Sequence, residues 1–273
     1  MQKTNVIQAM LLLLAMIGFG ALPALAQGSG PEYQLITEPT VITAPGNYRL
    51  GNNLILDEAQ NNLEAAIVIR SSYVTLDLGG YLIRGANGGQ SGTGILVDGV
   101  IGTEVRNGSV AMFAFNVVVR NSANAIITGL RIRGNDLVPV APPPEVGIMV
   151  AQSRNITIRE NNIYNVGLGV FVRGGNSWGN RTTANTITAG RNGVLGVCYN
   201  PTPDDPRGPT GDLIDNNLIS SFDVAVQMSA NSVSNIIRDN TLAFVRMAID
   251  LQNFNNLSVN NSQFRMLDFG SRR

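Results

Sequence analysis

Short runs of branched apolar residues recur along this chain at a spacing that suits one coil of a solenoid. They read AIVIR at 66–70, GILVD at 94–98, NVVVR at 116–120, GIMVA at 147–151, GVFVR at 169–173 and GVLGV at 193–197. DVAVQ at 223–227 and AIDLQ at 248–252 extend the series. A second register accompanies it, in which Asn161, Asn185, Asn216, Asn240 and Asn261 fall 24, 31, 24 and 21 residues apart. Runs of four or five Val- and Ile-rich residues between Asn, Gly, Asp and Ser are strands between sharp turns, with almost no room for helix. One such unit cannot bury its apolar side, whereas stacked copies close a continuous core. The expected fold is therefore all-β, a single-stranded right-handed parallel β-helix, or solenoid, of about eight or more coils. The coils exceed a hexapeptide turn and lack leucine-rich spacing, and a β-sandwich would not require the Asn register to repeat.

The recurring Asn has a structural role before any functional one. Asn tolerates left-handed backbone angles at a tight bend, and its amide can bond the equivalent Asn one coil away. The Asn content therefore reads mainly as turn chemistry.

Lys3, the apolar run Ala9–Ile17 and the Ala24-Leu25-Ala26 pattern read as a secretory signal peptide over 1–26, cleaved near Ala26 and directing the protein to the periplasm or the cell exterior. The run is short for a bilayer span, so no transmembrane span is expected in the mature chain. Residues 27–64 then form an N-terminal cap and first coil, 65–262 the β-helix, and 263–273 a C-terminal cap or tail. In that tail Phe264, Met266, Leu267 and Phe269 are placed to cover the last coil, and if they do not, the open end is a self-association surface.

Composition narrows the chemistry. The chain has no His, one Cys and, in Lys3, one Lys, which leaves with the signal peptide. Its formal net charge is zero, which gives no field of the kind that gathers nucleic acid or anionic membrane. Cys198 has no partner for an internal disulfide and no His to activate it, so it reads as a packed thiol.

PGNYRLGNNLIL at 45–56, AIVIRSSYVTLDLGGYLIRG at 66–85, GILVDG at 94–99 and EVRNGSV at 104–110 resemble the secreted right-handed β-helix repeat family, the pectate-lyase-like group that includes NosD-like periplasmic proteins. The resemblance spans residues 33–267. It implies a groove on one face of the coil, where family enzymes hold Ca²⁺ with Asp and abstract a proton with Lys or Arg, or hydrolyse with paired Asp. The Asp-Pro-His-Asp and Gly-His-Gly motifs of such enzymes are absent here.

Two long insertions, 134–146 and 198–212, border the same strand of the coil and mark the preferred groove. If Ile67 and Ile69 point inward, alternation turns Arg70 outward, and equivalent positions bring out Asp98, Arg120, Phe171 and Arg173, followed by Gln227, Asp250 and Gln252. Guanidinium forks and an aromatic plate suit an acidic glycan, and the same row also reads as a solvated edge of Arg–Asp pairs. Asp204, Asp205 and Asp212 supply hard oxygen ligands for Ca²⁺, or form an exposed loop held by prolines. Arg173 and Arg207 are the candidate catalytic groups for Ca²⁺-assisted β-elimination. Asp77 with Asp98 is a second candidate acid pair, and Trp178 and Tyr164 a candidate sugar platform. Three functions are compatible with these residues: an exported protein binding polysaccharide or another envelope component, a lyase or hydrolase acting on acidic glycan, and a structural or adhesive rod. The sequence leaves open whether the protein is an enzyme, and its oligomeric state.

Overall fold

The structure, a computed structural model, describes residues 32–57, 60, 63–86, 92–135, 145–189, 193–201 and 206–264. The expected signal segment 1–26, Asp204, Asp205, the tail residues Met266, Leu267 and Phe269, and the middle of the 134–146 insertion lie outside the described residues. The chain folds as a parallel β-helix whose strands form two sheets, one of nine strands and one of seventeen. Every pairing between named strands is parallel, and all but the first, which joins Gln34 to Tyr48, are between residues about 20 to 30 positions apart in sequence. The nine-stranded sheet is one wall, running from Thr40–Ile42 through Ile67–Ile69, Thr93–Asp98, Phe115–Arg120, Val146–Ala151, Leu168–Arg173, Leu195–Asn200 and Val224–Met228 to Met247–Leu251. The larger sheet bends sharply into two further walls. In one coil these are Thr157–Arg159 and Asn162–Val166, and in the next Arg181–Thr183 and Thr186–Ala189.

Inward residues build the core. Ile67, Ile69, Ile95, Val97, Val117, Val119, Ile148, Val150, Val170 and Val172 of the first wall meet Ile127, Ile158, Ile163, Ile187 and Ile219 of the others, all buried. The glycine that opens several repeats serves this packing. A Cβ on Gly169 would lie 2.3 Å from the Gly196 carbonyl oxygen and 2.4 Å from Ile187.

Two repeats sit in a different register from the one their sequence suggests. Val170 pairs with Val197 and Val226, so the strand equivalent to GVFVR is GVCYN at 196–200, and the next is AVQMS at 225–229. GVLGV and DVAVQ are apolar runs that begin before the wall does. Likewise the third register residue is Asn217 and not Asn216. The reason is conformational: the residue before each ladder Asn adopts a left-handed backbone, at Glu160, Ala184, Asn216, Asp239 and Asn260, with φ of 52 to 57°. In an Asn-Asn pair the first makes the bend and the second turns into the coil.

These asparagines form an internal ladder. The Asn161 backbone N–H and side-chain Nδ2 both donate to Asn185 Oδ1 at 3.0 Å, and Asn185 repeats the pattern onto Asn217 at 3.0 Å. Asn217 continues to Asn240, and Asn240 to Asn261. A second ladder at the preceding corner runs Asn180, Asp212, Asn235, Asn256. A file of serines stands just ahead of it: the Ser122 N–H donates to Ser153 Oγ at 3.1 Å and the Ser153 N–H to Ser177 Oγ at 3.4 Å.

Asp212 is the acidic member of the second ladder. Its Oδ1 accepts the Asn180 N–H at 2.7 Å, and its side chain is buried beside Tyr199 and Thr182. Tyr199 Oη and Thr182 Oγ1 are buried without a hydrogen bond of good geometry. Burial pushes the Asp212 carboxyl up to about 7, against the lowering effect of the Asn180 hydrogen bonds. A carboxyl that holds its proton more tightly when folded adds stability below its unfolded value of about 4, and that stability is lost as pH rises through about 7.

Two stability measurements check this reading. Asn185→Ala strips the acceptor from the buried Asn161 N–H and is expected to cost about 1 to 3 kcal/mol in urea unfolding. Asn162→Ala, at the exposed neighbouring position, is expected to change stability by less than about 0.5 kcal/mol. Wild-type stability is expected to fall between about pH 4 and pH 7, by roughly 3 kcal/mol, and Asp212→Asn to flatten that dependence. An unchanged slope in Asp212→Asn would place the titration elsewhere.

Candidate binding face

The outward side of the nine-stranded sheet carries two files of side chains. Register partners place Val68, Leu96, Val118, Met149, Phe171, Cys198, Gln227 and Asp250 in one file, coil after coil. Asp98, Arg120, Ala151, Arg173 and Asn200 form the other, with Arg70 just past the paired Ile69. The alternation read from the sequence thus puts Arg70, Asp98, Arg120, Phe171, Arg173, Gln227 and Asp250 on one side of the coil. It does not make them one site.

The first half of this side is closed. Val68, Leu96 and Val118 are buried in a second apolar cluster with Ala65, against which Phe115 and Met149 pack. The charges at its margin are tied together: Glu64 pairs with Arg70 and, at 2.8 Å, with Arg120, which pairs with Asp98 at 2.8 Å. The Arg120 hydrogen bond is the largest influence on Asp98 and holds its carboxyl below the usual range. Burial opposes that effect. Glu64 gave no signal in the sequence because it precedes the repeat and has no periodic counterpart.

The second half is laid out differently. The Arg173 guanidinium lies 5.7 Å from the Phe171 ring centroid, and among the described residues it has no carboxylate partner. Its neighbours on the adjacent coils are Ala151 and Asn200, neither charged. Next along the first file, the Cys198 thiol is aligned with Gln227 Oε1 at 3.8 Å, and Gln227 Nε2 donates to Asp250 Oδ2 at 3.0 Å. Gln252 Nε2 donates to the same oxygen at 3.3 Å. Cys198 is buried, and desolvation pushes its thiol up to about 12, so it is a packing residue with a weak S–H donor.

The other candidates divide as follows. Asp212 is no Ca²⁺ ligand: its carboxyl is inside the ladder, facing Asn180. Arg207 is exposed and engaged in an interaction, and Asp204 and Asp205 lie outside the described residues. Among the described residues no group of three or more His, Cys, Asp or Glu is placed to hold a metal ion. Asp77 organises a turn, accepting the Gly79 N–H at 2.8 Å and Asn107 Nδ2 at 3.0 Å. It belongs to the larger sheet and Asp98 to the smaller, so the two do not form an acid pair. Trp178 stands exposed at a corner and Tyr164 half-buried in a different wall, so they share no platform.

Among solved structures the chain resembles an exopolygalacturonase from Thermotoga maritima, at 12% identity and a TM-score of 0.54, covering 86% of this chain and 72% of that one. It also resembles the Dettilon tailspike protein, at 14% identity and a TM-score of 0.52, covering 85% and 54%. XylC in complex with xylose matches at 12% identity and a TM-score of 0.50, and this chain spans only 38% of its length. At such identities the likeness is one of fold. No curated protein sequence matches the chain. Among the described residues no helix is long and apolar enough to cross a membrane. The family model described as right handed beta helix region matches residues 50–201, more than half of the chain, and with the stacked parallel walls described above this places the protein in the right-handed β-helix family.

Proposed function

We propose that this is an exported polysaccharide-binding β-helix that holds an acidic glycan along the outer side of its nine-stranded sheet, over Phe171 and Arg173. The observation that carries this reading is the Arg173 guanidinium, stacked on Phe171 and without a carboxylate partner among the described residues. An arginine fork matches a uronate carboxylate bidentately, and an aromatic ring offers its face to a sugar ring. Gln227, Asp250 and Gln252 continue the polar surface in the direction in which the coils stack. Arg70, Asp98 and Arg120 belong to the closed half, where Glu64 already pairs both arginines and Arg120 pairs Asp98. Neighbours of the same fold include an exopolygalacturonase and a protein crystallised with xylose, which agrees with a saccharide ligand.

Binding of polygalacturonate, measured by calorimetry against a neutral xylan, tests this directly. Arg173→Ala is expected to weaken binding of the acidic polymer about tenfold or more, the worth of a charge-assisted hydrogen bond. Arg70→Ala is expected to leave binding within about twofold. Equal losses in the two variants would move the ligand to the Glu64 side, and no binding to any uronic polymer would overturn the reading. New ultraviolet absorbance from an unsaturated product, with or without added Ca²⁺, would replace binding with the lyase reading. For export, the mass of protein recovered outside the cytoplasm is expected to begin at Gln27; a mass that retains Met1 overturns cleavage.

A further inference from the structure

Beyond the turn Gly174–Ser177, the corner that follows the nine-stranded sheet carries another file of residues, in which Ala123 is buried and Arg154 and Trp178 are exposed. Ala123, Arg154, Trp178, Thr210 and Val233 are bridge partners on successive coils, so each lies about 4.8 Å from the next. The corner beneath is rigid, because the serine file ends at Ser177 and the second ladder begins at Asn180. On this frame Trp178 is 45% exposed. Arg154 beside it and Arg181, three residues further on, are also exposed.

The partners of these side chains set them apart from the surrounding surface. Among the described residues, guanidiniums lie over Tyr33 and Phe171, and none lies over the Trp178 ring. Nearby arginines are matched to acids, Arg159 to Glu160 and Arg238 to Asp215. Neither Arg154 nor Arg181 has a carboxylate partner among the described residues. Arg181 opens a strand between Thr157 and Leu213 on the flanking coils, so no acid stands beside it in register. A large ring left in water on a fixed corner, with one unmatched cation in register on the adjacent coil and another three residues along the chain, adds little to the core and is well formed to meet a ligand with flat apolar faces and negative charge.

We propose that Arg154, Trp178 and Arg181 form a second saccharide contact, in which the indole stacks on a sugar ring and the two guanidiniums hold carboxylates of an acidic polysaccharide. The ligand class rests on the function proposed above; the residues are separate from that face. Stacking supplies apolar contact that any pyranose can provide, and the arginines confine the contact to uronate-bearing chains. A nucleic acid would also satisfy a ring and two cations, and the zero net charge of the chain argues against it.

Trp178 is the sole tryptophan of the chain, so its emission reports this corner alone. Titration of the full-length mature protein with polygalacturonate oligomers is expected to change that emission saturably. Arg154→Ala and Arg181→Ala are each expected to weaken the titration about tenfold. Arg159→Ala, whose guanidinium is already matched to Glu160, is expected to leave it within about twofold. Calorimetry on Trp178→Ala should show loss of this contact, with partial recovery in Trp178→Phe, which keeps a stacking face. Silent emission while calorimetry still records binding would overturn the second contact and leave the Arg173 face standing. An equal loss of the emission titration in Arg173→Ala would merge the two into one site, and absence of binding by both methods would overturn both. A single-stranded DNA oligomer that matches the affinity of the polysaccharide would overturn the assignment to a saccharide.

Discussion

The backbone N–H at each corner of a coil is the group on which the rest of this structure depends. Strand residues satisfy their N–H and C=O groups on the coils above and below, but a residue turning the corner points its N–H along the stack at a place where no sheet partner is aligned. An asparagine one coil away supplies the acceptor, and its own amide donates onward, so one side chain both ends and restarts the bond. The device is self-propagating because Asn carries donor and acceptor together. An ionised Asp carries only acceptors: Asp212 satisfies the Asn180 N–H from a buried position, and that burial, opposed by the hydrogen bonds themselves, pushes its carboxyl up.

The ladders also explain how a chain with 14% charged residues presents ordered polar files. Fixed corners lock the register of every wall, and register decides which outward side chains become neighbours. Along the nine-stranded sheet the outcome changes midway. Where Val68, Leu96 and Val118 face outward, the surface is buried, and Glu64 gathers the adjacent arginines. Once Phe171 takes the same file, Arg173 meets no acid and stacks on the ring instead. A single scaffold therefore carries a sealed half and a half with free hydrogen-bonding capacity.

The parallel coil, the inward Ile and Val and the Asn ladder were legible because each rests on a pattern repeated many times. Register was legible only where the repeat was clean. GVLGV and DVAVQ slid by three and two residues since an apolar run does not mark where its wall begins, and Asn216 was confused with Asn217 because bend and ladder both favour Asn. The outward direction of Arg70, Asp98, Arg120 and Arg173 followed from alternation. Their division into paired and unpaired groups did not, because it depends on Glu64, which no periodicity predicts. Asp212 reads as a loop carboxylate because it closes a Pro- and Asp-rich insertion in sequence, while in space it occupies a ladder position.

The last described coil bears on the idea of a rod that grows through its ends. Each earlier coil fills its inward positions on the second and third walls mainly with Ile, Leu or Val, ending at Ile237 and Leu242. Their register partners in the last coil are Ser258 and Gln263. Stacking another copy there would set Gln263 and Ser258, whose Oγ accepts the Asn261 amide at 3.1 Å, against an apolar core, a cost of about 1 to 3 kcal/mol for each group left unsatisfied. Only the first wall, with Ala248, Ile249 and Leu251, stays apolar on its inner side. Leu257, Val259 and Phe264 are exposed. Among the described residues, the positions that build the core elsewhere therefore make the last coil a poorer stacking surface than the coils before it.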